Sequence, residues 1–230
     1  MKDFLTGSAF FGAFITLAAY EIGLLLKKKY KLAVLNPLLI GTLCVMAVLL
    51  LLKVDYPQYN ESTRYISYLL TPATVCLAVP LYQQLHLLKK NKKAVAGGIL
   101  SGVLASLLSV FLLSKLFGLS HEQYVTLLPK SITTAIGMGI SRELGGVETI
   151  TVAAIIVTGI FGNMIAEFVC KAFRIQEPVA KGLALGTASH AIGTAKAMEM
   201  GEVEGAMGSL AIAVAGLLTV SGASLFAGFL

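Results

Sequence analysis

Charge is scarce in this sequence: only 13% of its 230 residues are Asp, Glu, Lys or Arg, while 57% are hydrophobic. So apolar a composition excludes an ordinary water-soluble domain. Cysteine is sparse as well, with Cys44, Cys76 and Cys170 far apart in apolar segments. Their odd number and the lack of any CxxC spacing exclude a disulfide framework and a thiolate metal site, leaving small buried hydrophobes. No P-loop, GxSxG, HExxH or ferredoxin-like spacing occurs, so the expectation is a protein that is not an enzyme and needs neither cofactor nor metal. No linker rich in Pro, Gly or Ser divides the chain, which reads as one transmembrane domain over 1–230. The first apolar run is too long for a cleavable signal and lacks a small-residue cleavage site.

What is present is lipid-compatible length. Four windows, Phe4–Leu26, Leu32–Leu52, Ala94–Ser114 and Gly205–Leu230, carry one acid between them, Glu21. Each is long enough for a hydrocarbon core of roughly 30 Å. The net charge of +6 resides largely in short clusters, Lys27–Lys29 with Lys31, and Lys89, Lys90, Lys92 and Lys93. Such clusters mark the cytoplasmic ends of spans rather than a nucleic-acid surface. Placing both inside puts the N-terminus outside.

Three further segments are mixed: Tyr65–Leu88 with Pro72 and Pro80, Gln123–Ser141 with Pro129, and Lys181–Met200 with repeated glycine. Proline removes a helical hydrogen bond, and freed backbone groups survive in lipid only where protein or a watery cavity satisfies them. These are expected to be broken or re-entrant helices. Sliding the sequence by 115 residues lays 69–82 over 184–197, a weak symmetry of the kind found between the halves of transporters. The basic loop 171–181 also belongs inside, which requires one mixed segment to dip in and return. The expectation is an all-α, polytopic integral membrane protein. It has seven to eight membrane segments, including broken or re-entrant helices, and two structurally related inverted halves, about 1–117 and 118–230.

The polar groups in these segments are the candidate site. Treated as one helix, 182–200 places Thr187, His190 and Thr194 on one face and Ser189, Gly193 and Lys196 nearly opposite. A lysine at mid-bilayer costs roughly 2.5–3.5 kcal/mol on insertion scales, so Lys196 needs a partner, and Glu199 is near. Gly182, Gly186 and Gly193 are better explained by close helix packing than by a ligand. A satisfied buried histidine accounts for His190 almost as well as a functional one. In "LLPKSITTAIGMGIS", Lys130, Ser131, Thr133 and Thr134 follow Pro129 and combine a cation, hydroxyls and free backbone N–H groups, a sensible anion site. The plainer reading is an interfacial lysine that snorkels to water. Thr71 and Thr74, between Pro72 and its neighbours, shape a cavity without charge. Asn36, before Pro37, caps the second span. Glu21 and Glu167 lie toward the ends of their runs.

"LLPKSITTAIGMGIS" followed by "ELGG", and "AKGLALGTASHAIGTAKAMEMG" with "EGAMGSLA", together with "NPLLI" and "PATVCLAVPLY" upstream, resemble the LrgB/CidB family of bacterial membrane proteins. The chain departs from the family pattern at Ala135, where relatives often carry proline, and at Glu167. The resemblance implies two competing functions. One is holin/antiholin-like control of murein hydrolase activity and autolysis with a small LrgA/CidA-like partner. The other, seen in plastid relatives that move glycolate and glycerate and in bacterial relatives linked to pyruvate, is transport of a small organic anion across the bilayer. The residues themselves favour the carrier: a monocarboxylate needs a cation or helix N-terminus and hydroxyls. On that reading Lys130 and its neighbours face the carboxylate in an alternating-access protein of the bacterial cytoplasmic membrane, with a homo-oligomer compatible with the apolar spans.

Overall fold

The computed structural model describes residues 8, 10–30, 32, 35–76 and 78–230, with the side chains of Leu70, Thr74 and Leu81 outside the described set. Every regular element among the described residues is a helix. The chain forms two compact units, Met1–Cys76 and Leu77–Leu230.

The first unit contains α1 (Phe11–Tyr30), α2 (Pro37–Leu52), α3 (Tyr56–Ser62), α4 (Arg64–Tyr68) and α5 (Leu70–Cys76). The predicted window Leu32–Leu52 starts its helix at Pro37, because Asn36 caps it: Asn36 Oδ1 accepts from the Leu38 and Leu39 N–H groups at 2.8 and 3.4 Å. Proline at the first helical position loses nothing, since that N–H has no helical partner. The helix is therefore 16 residues long. The Lys27–Lys29 cluster forms the last turn of α1, where cations oppose the negative end of the helix. Gly12 N–H, orphaned in the first turn of α1, is taken up by Ser62 Oγ at 3.0 Å, and Thr16 Oγ1 meets Tyr59 Oη at 2.8 Å, which ties α3 to α1.

The second unit runs α6 (Ala78–Gln83), α7 (Leu85–Lys90), α8 (Lys92–Phe117), α9 (His121–Leu127), α10 (Thr134–Glu143), α11 (Glu148–Ala172), α12 (Pro178–Met200) and α13 (Glu202–Ala227). Three of these helices, α8, α11 and α13, are long and apolar enough to cross a membrane. With the shorter apolar helix α2, they make this a multi-pass membrane protein. Gly118, at φ 63°, ends α8, with Leu119 N–H returning to the Ser114 carbonyl at 2.9 Å. Only glycine enters that left-handed turn cheaply.

All three mixed segments break. Within 64–76 and 78–90 the helix is interrupted at Leu69 and at Gln84. The chain is non-helical from 128 to 133, between α9 and α10, with Pro129 fully buried in the gap. A reciprocal cap starts α9, Gln123 N–H to Ser120 Oγ at 3.3 Å and Ser120 N–H to Gln123 Oε1 at 3.0 Å. A buried hydroxyl knot then fastens the broken segment to α11: Thr151 Oγ1 donates to the Thr126 carbonyl at 2.8 Å and lies 2.7 Å from Ser141 Oγ. Thr126 Oγ1 in turn accepts from Val147 N–H at 2.8 Å.

The third break lies inside α12, at Ser189 (φ −134°, ψ 20°) and His190 (φ 43°, ψ −136°). The faces obtained by treating 182–200 as one helix end there, because a uniform 3.6-residue period does not continue through a kink. Helices α12 and α13 form the most intimate pair. A Cβ on Gly182 would sit 2.8 Å from Met207 Cβ, and one on Gly186 would sit 2.8 Å from Ala211 Cβ and from Gly208 Cα. Between lipid-embedded helices, close van der Waals packing of small residues replaces the hydrophobic drive.

Candidate functional site

The kink in α12 is held by α11. His190 Nε2 donates to the Ile155 carbonyl at 3.0 Å, and Asn163 Nδ2 donates to the Ile192 carbonyl at 3.1 Å. The space comes from glycine: a Cβ on Gly159 would lie 2.7 Å from His190 Nε2, and one on Gly162 would collide with Ser189 Oγ. The positive φ of His190 is costly for a residue with a side chain and persists only where neighbours over-determine it.

Beside this kink lies a cavity of about 1070 Å³, walled by α8, α11, α12 and the 128–133 break. Its α8 wall is a stripe of small residues: Gly98, Ser101, Gly102, Ala105, Ser106 and Ser109. Val157, Phe161 and Ile165 of α11 and Leu183 of α12 make much of the remainder apolar. Polarity is concentrated at the break. Lys130 Nζ lies 3.2 Å from Ser131 Oγ, and Ser131 Oγ lies 3.0 Å from Ser106 Oγ. No ion pair to Lys130 is formed among the described residues. Glu177, also on the cavity wall, is the one carboxylate among the described lining residues. Thr187 on the α12 wall is 4% exposed, and its hydroxyl has no hydrogen-bond partner among the described residues. A buried hydroxyl left so forfeits about 1–3 kcal/mol, which an incoming acceptor or donor recovers.

The predicted site residues are thus partly gathered. Lys130, Ser131, Thr187 and Ser189 line the cavity. Thr133 and Thr134 cap and open α10 and do not line it. His190 is turned onto α11. Thr194, fully buried, presses on Gly208 of α13, with its hydroxyl also unpartnered among the described residues. Lys196 bonds Glu167 at 2.7 Å and Glu199 at 3.2 Å, so the expected partner is joined by a second acid. Thr71 is exposed on the first unit, and the side chain of Thr74 lies outside the described residues. Sequence reasoning passed over Ser101, Ser106 and Ser109, because α8 carries no charge between Lys93 and Lys115. The signal was nonetheless there: small residues at 98, 101, 102, 105, 106 and 109 repeat at helical spacing.

Residues 16–229 match the model of the LrgB-like family. The chain belongs to the LrgB family. It is 39% identical over 205 residues to the holin-like protein CidB of Staphylococcus aureus strain Mu50, covering 89% of this chain and 90% of that protein. It is also 39% identical over 216 residues to the antiholin-like protein LrgB of Bacillus cereus strain B4264, covering 94% of each. No solved structure matches the chain. The family match spans both compact units and contains every element of the cavity wall.

Proposed function

We propose that this chain is a holin/antiholin-like protein of the bacterial cytoplasmic membrane, acting on murein hydrolase activity and autolysis together with a small LrgA/CidA-like membrane partner. The observation that carries this reading is the near full-length identity to both a holin-like and an antiholin-like protein. Equal identity to the two leaves the sign of the effect, opening or restraining, to the partner. The proposed topology has the N-terminus outside and seven to eight membrane segments in two inverted halves. At least one mixed segment is re-entrant, and 121–143, with its break at Pro129, is the foremost candidate. A homo-oligomer fits the apolar spans.

A second reading, alternating-access transport of a small monocarboxylate such as glycolate, glycerate or pyruvate, is favoured by one specific observation: Lys130 lies on the cavity wall without a carboxylate bonded to it among the described residues. A desolvated cation beside the hydroxyls of Ser131 and Ser106 recognises a carboxylate, and Thr187 supplies a hydroxyl for its second polar group. Ser189 also lines that cavity, while Thr133, Thr134, His190, Thr194 and Lys196 act on this reading as supports of the broken segments rather than as first contacts.

Reconstitution separates the two. Purified protein in sealed liposomes is supplied with labelled glycolate, glycerate or pyruvate and with an entrapped dye. Saturable uptake with the dye retained establishes the carrier. Dye leakage without saturation, enhanced or blocked by the small partner, establishes the holin-like function, and silence in both assays with and without the partner rules out both readings.

A further inference from the structure

A second depression of about 520 Å³ lies where α11 ends and α12 begins and shares no lining residue with the Lys130 cavity. Lys171, Arg174 and Lys181 line it, with Cys170, Ile175 and Met200 as apolar floor. Its one acid, Glu167, is engaged by Lys196 at 2.7 Å, whereas Lys171, Arg174 and Lys181 form no ion pair among the described residues. The backbone holds Arg174 in place: Arg174 N–H returns to the Lys171 carbonyl at 3.2 Å and Ile175 N–H to the Cys170 carbonyl at 2.8 Å, closing α11 with Arg174 at φ 54°. That left-handed position, which the closure needs, is ordinarily glycine's, and Lys53 takes the same one at the end of α2.

We propose that this depression binds the phosphate group of an anionic phospholipid. Two observations choose a lipid over a soluble phosphate. The apolar span α11 ends at Ala172, placing Lys171 and Arg174 at the level where headgroups lie. Phe168 and Phe173, at the same end of α11, are 72% and 76% exposed and belong on the apolar side of that boundary. The phosphate sits among the three cations, and the glycerol part rests on Cys170, Ile175 and Met200. A basic residue near an anionic surface is worth about 1 kcal/mol, a factor of about five in affinity.

The test is native mass spectrometry of the full chain in detergent, with phosphatidylglycerol or phosphatidylcholine added. The expected result is retention of phosphatidylglycerol over phosphatidylcholine, lost about 100-fold in the triple variant Lys171→Gln/Arg174→Gln/Lys181→Gln and kept in Lys89→Gln/Lys90→Gln/Lys93→Gln. Equal retention by the first triple variant, or equal loss in the second, overturns the proposal. Should the triple variant fail to elute as a folded species, Arg174→Gln and Lys181→Gln alone are each expected to weaken retention about fivefold, and no change in either overturns it. Inorganic phosphate titrated into lipid-free protein forms the other arm. Saturation abolished in the triple variant, without phosphatidylglycerol retention by the parent, overturns the lipid as occupant.

Discussion

The imidazole Nε2 of His190 and the carbonyl oxygen of Ile155, 35 residues apart in the chain, meet at 3.0 Å. A carbonyl only accepts, so the proton resides on Nε2 and the ring is a donor locked onto α11. The residue that stood out in "GTASHAIGTA" as a candidate ligand is thus bonded across to α11 at the kink.

Replacing His190 tests that role. His190→Ala is expected to lower the stability of the detergent-solubilised protein by about 1–3 kcal/mol, through the lost bond and the void. His190→Gly loses the same bond but relieves the positive φ. It should melt above His190→Ala, and the reverse order in thermal unfolding would refute a strained kink.

Gly159→Ala asks the same question from the other helix. Alanine in a helix interior ordinarily gains about 1 kcal/mol over glycine. At Gly159 the added methyl would stand 2.7 Å from His190 Nε2 and 2.8 Å from Ile192 Cδ1. Gly97, with nothing within 4 Å of an added Cβ, is the internal control. Thermal unfolding should show Gly97→Ala neutral or stabilised and Gly159→Ala destabilised.

Lys130→Met removes the cavity's cation while keeping its aliphatic bulk. Since the Lys130 side chain bonds only Ser131 among the described residues, the fold should survive, and saturable anion uptake in proteoliposomes should fall at least tenfold. Ser106→Ala, which removes a neighbour rather than the charge, should cost less than Lys130→Met. Unchanged uptake in Lys130→Met would dismiss the carboxylate site.

Lys196 joins α12 to α11 through Glu167 and to its own helix through Glu199. Both acids are more than half exposed, whereas the lysine side chain is 12% exposed. A double-mutant cycle with Lys196→Met and Glu167→Gln is expected to give a coupling of about 0.2–1 kcal/mol in unfolding free energy, as for exposed pairs. A coupling of several kcal/mol would show that the pair is shielded from solvent.

The local breaks were legible because their causes are local. Asn36 before Pro37 announces a capped start, Pro129 interrupts 121–143, and an apolar run without charge announces α8. Gly182 and Gly186 were assigned to packing and do meet α13, whereas Gly193 abuts Leu185 and Ser189 of its own helix across the kink. The kink at Ser189 and His190 left no proline to announce it. It depends on room at Gly159 and Gly162, on the Ile155 carbonyl as acceptor and on Asn163 Nδ2 as donor, all on α11 and none adjacent to the kink in sequence.

Composition and periodicity by themselves determined an all-helical, multi-pass membrane chain, since lipid leaves the backbone few other options, and the order of residues in the third mixed segment matched its family. Only the tertiary structure decided which polar groups share a cavity. Thr187 and Ser189 do, and Thr194 and His190 do not, because a kink changes the direction of every side chain after it by an amount that no fixed helical period contains.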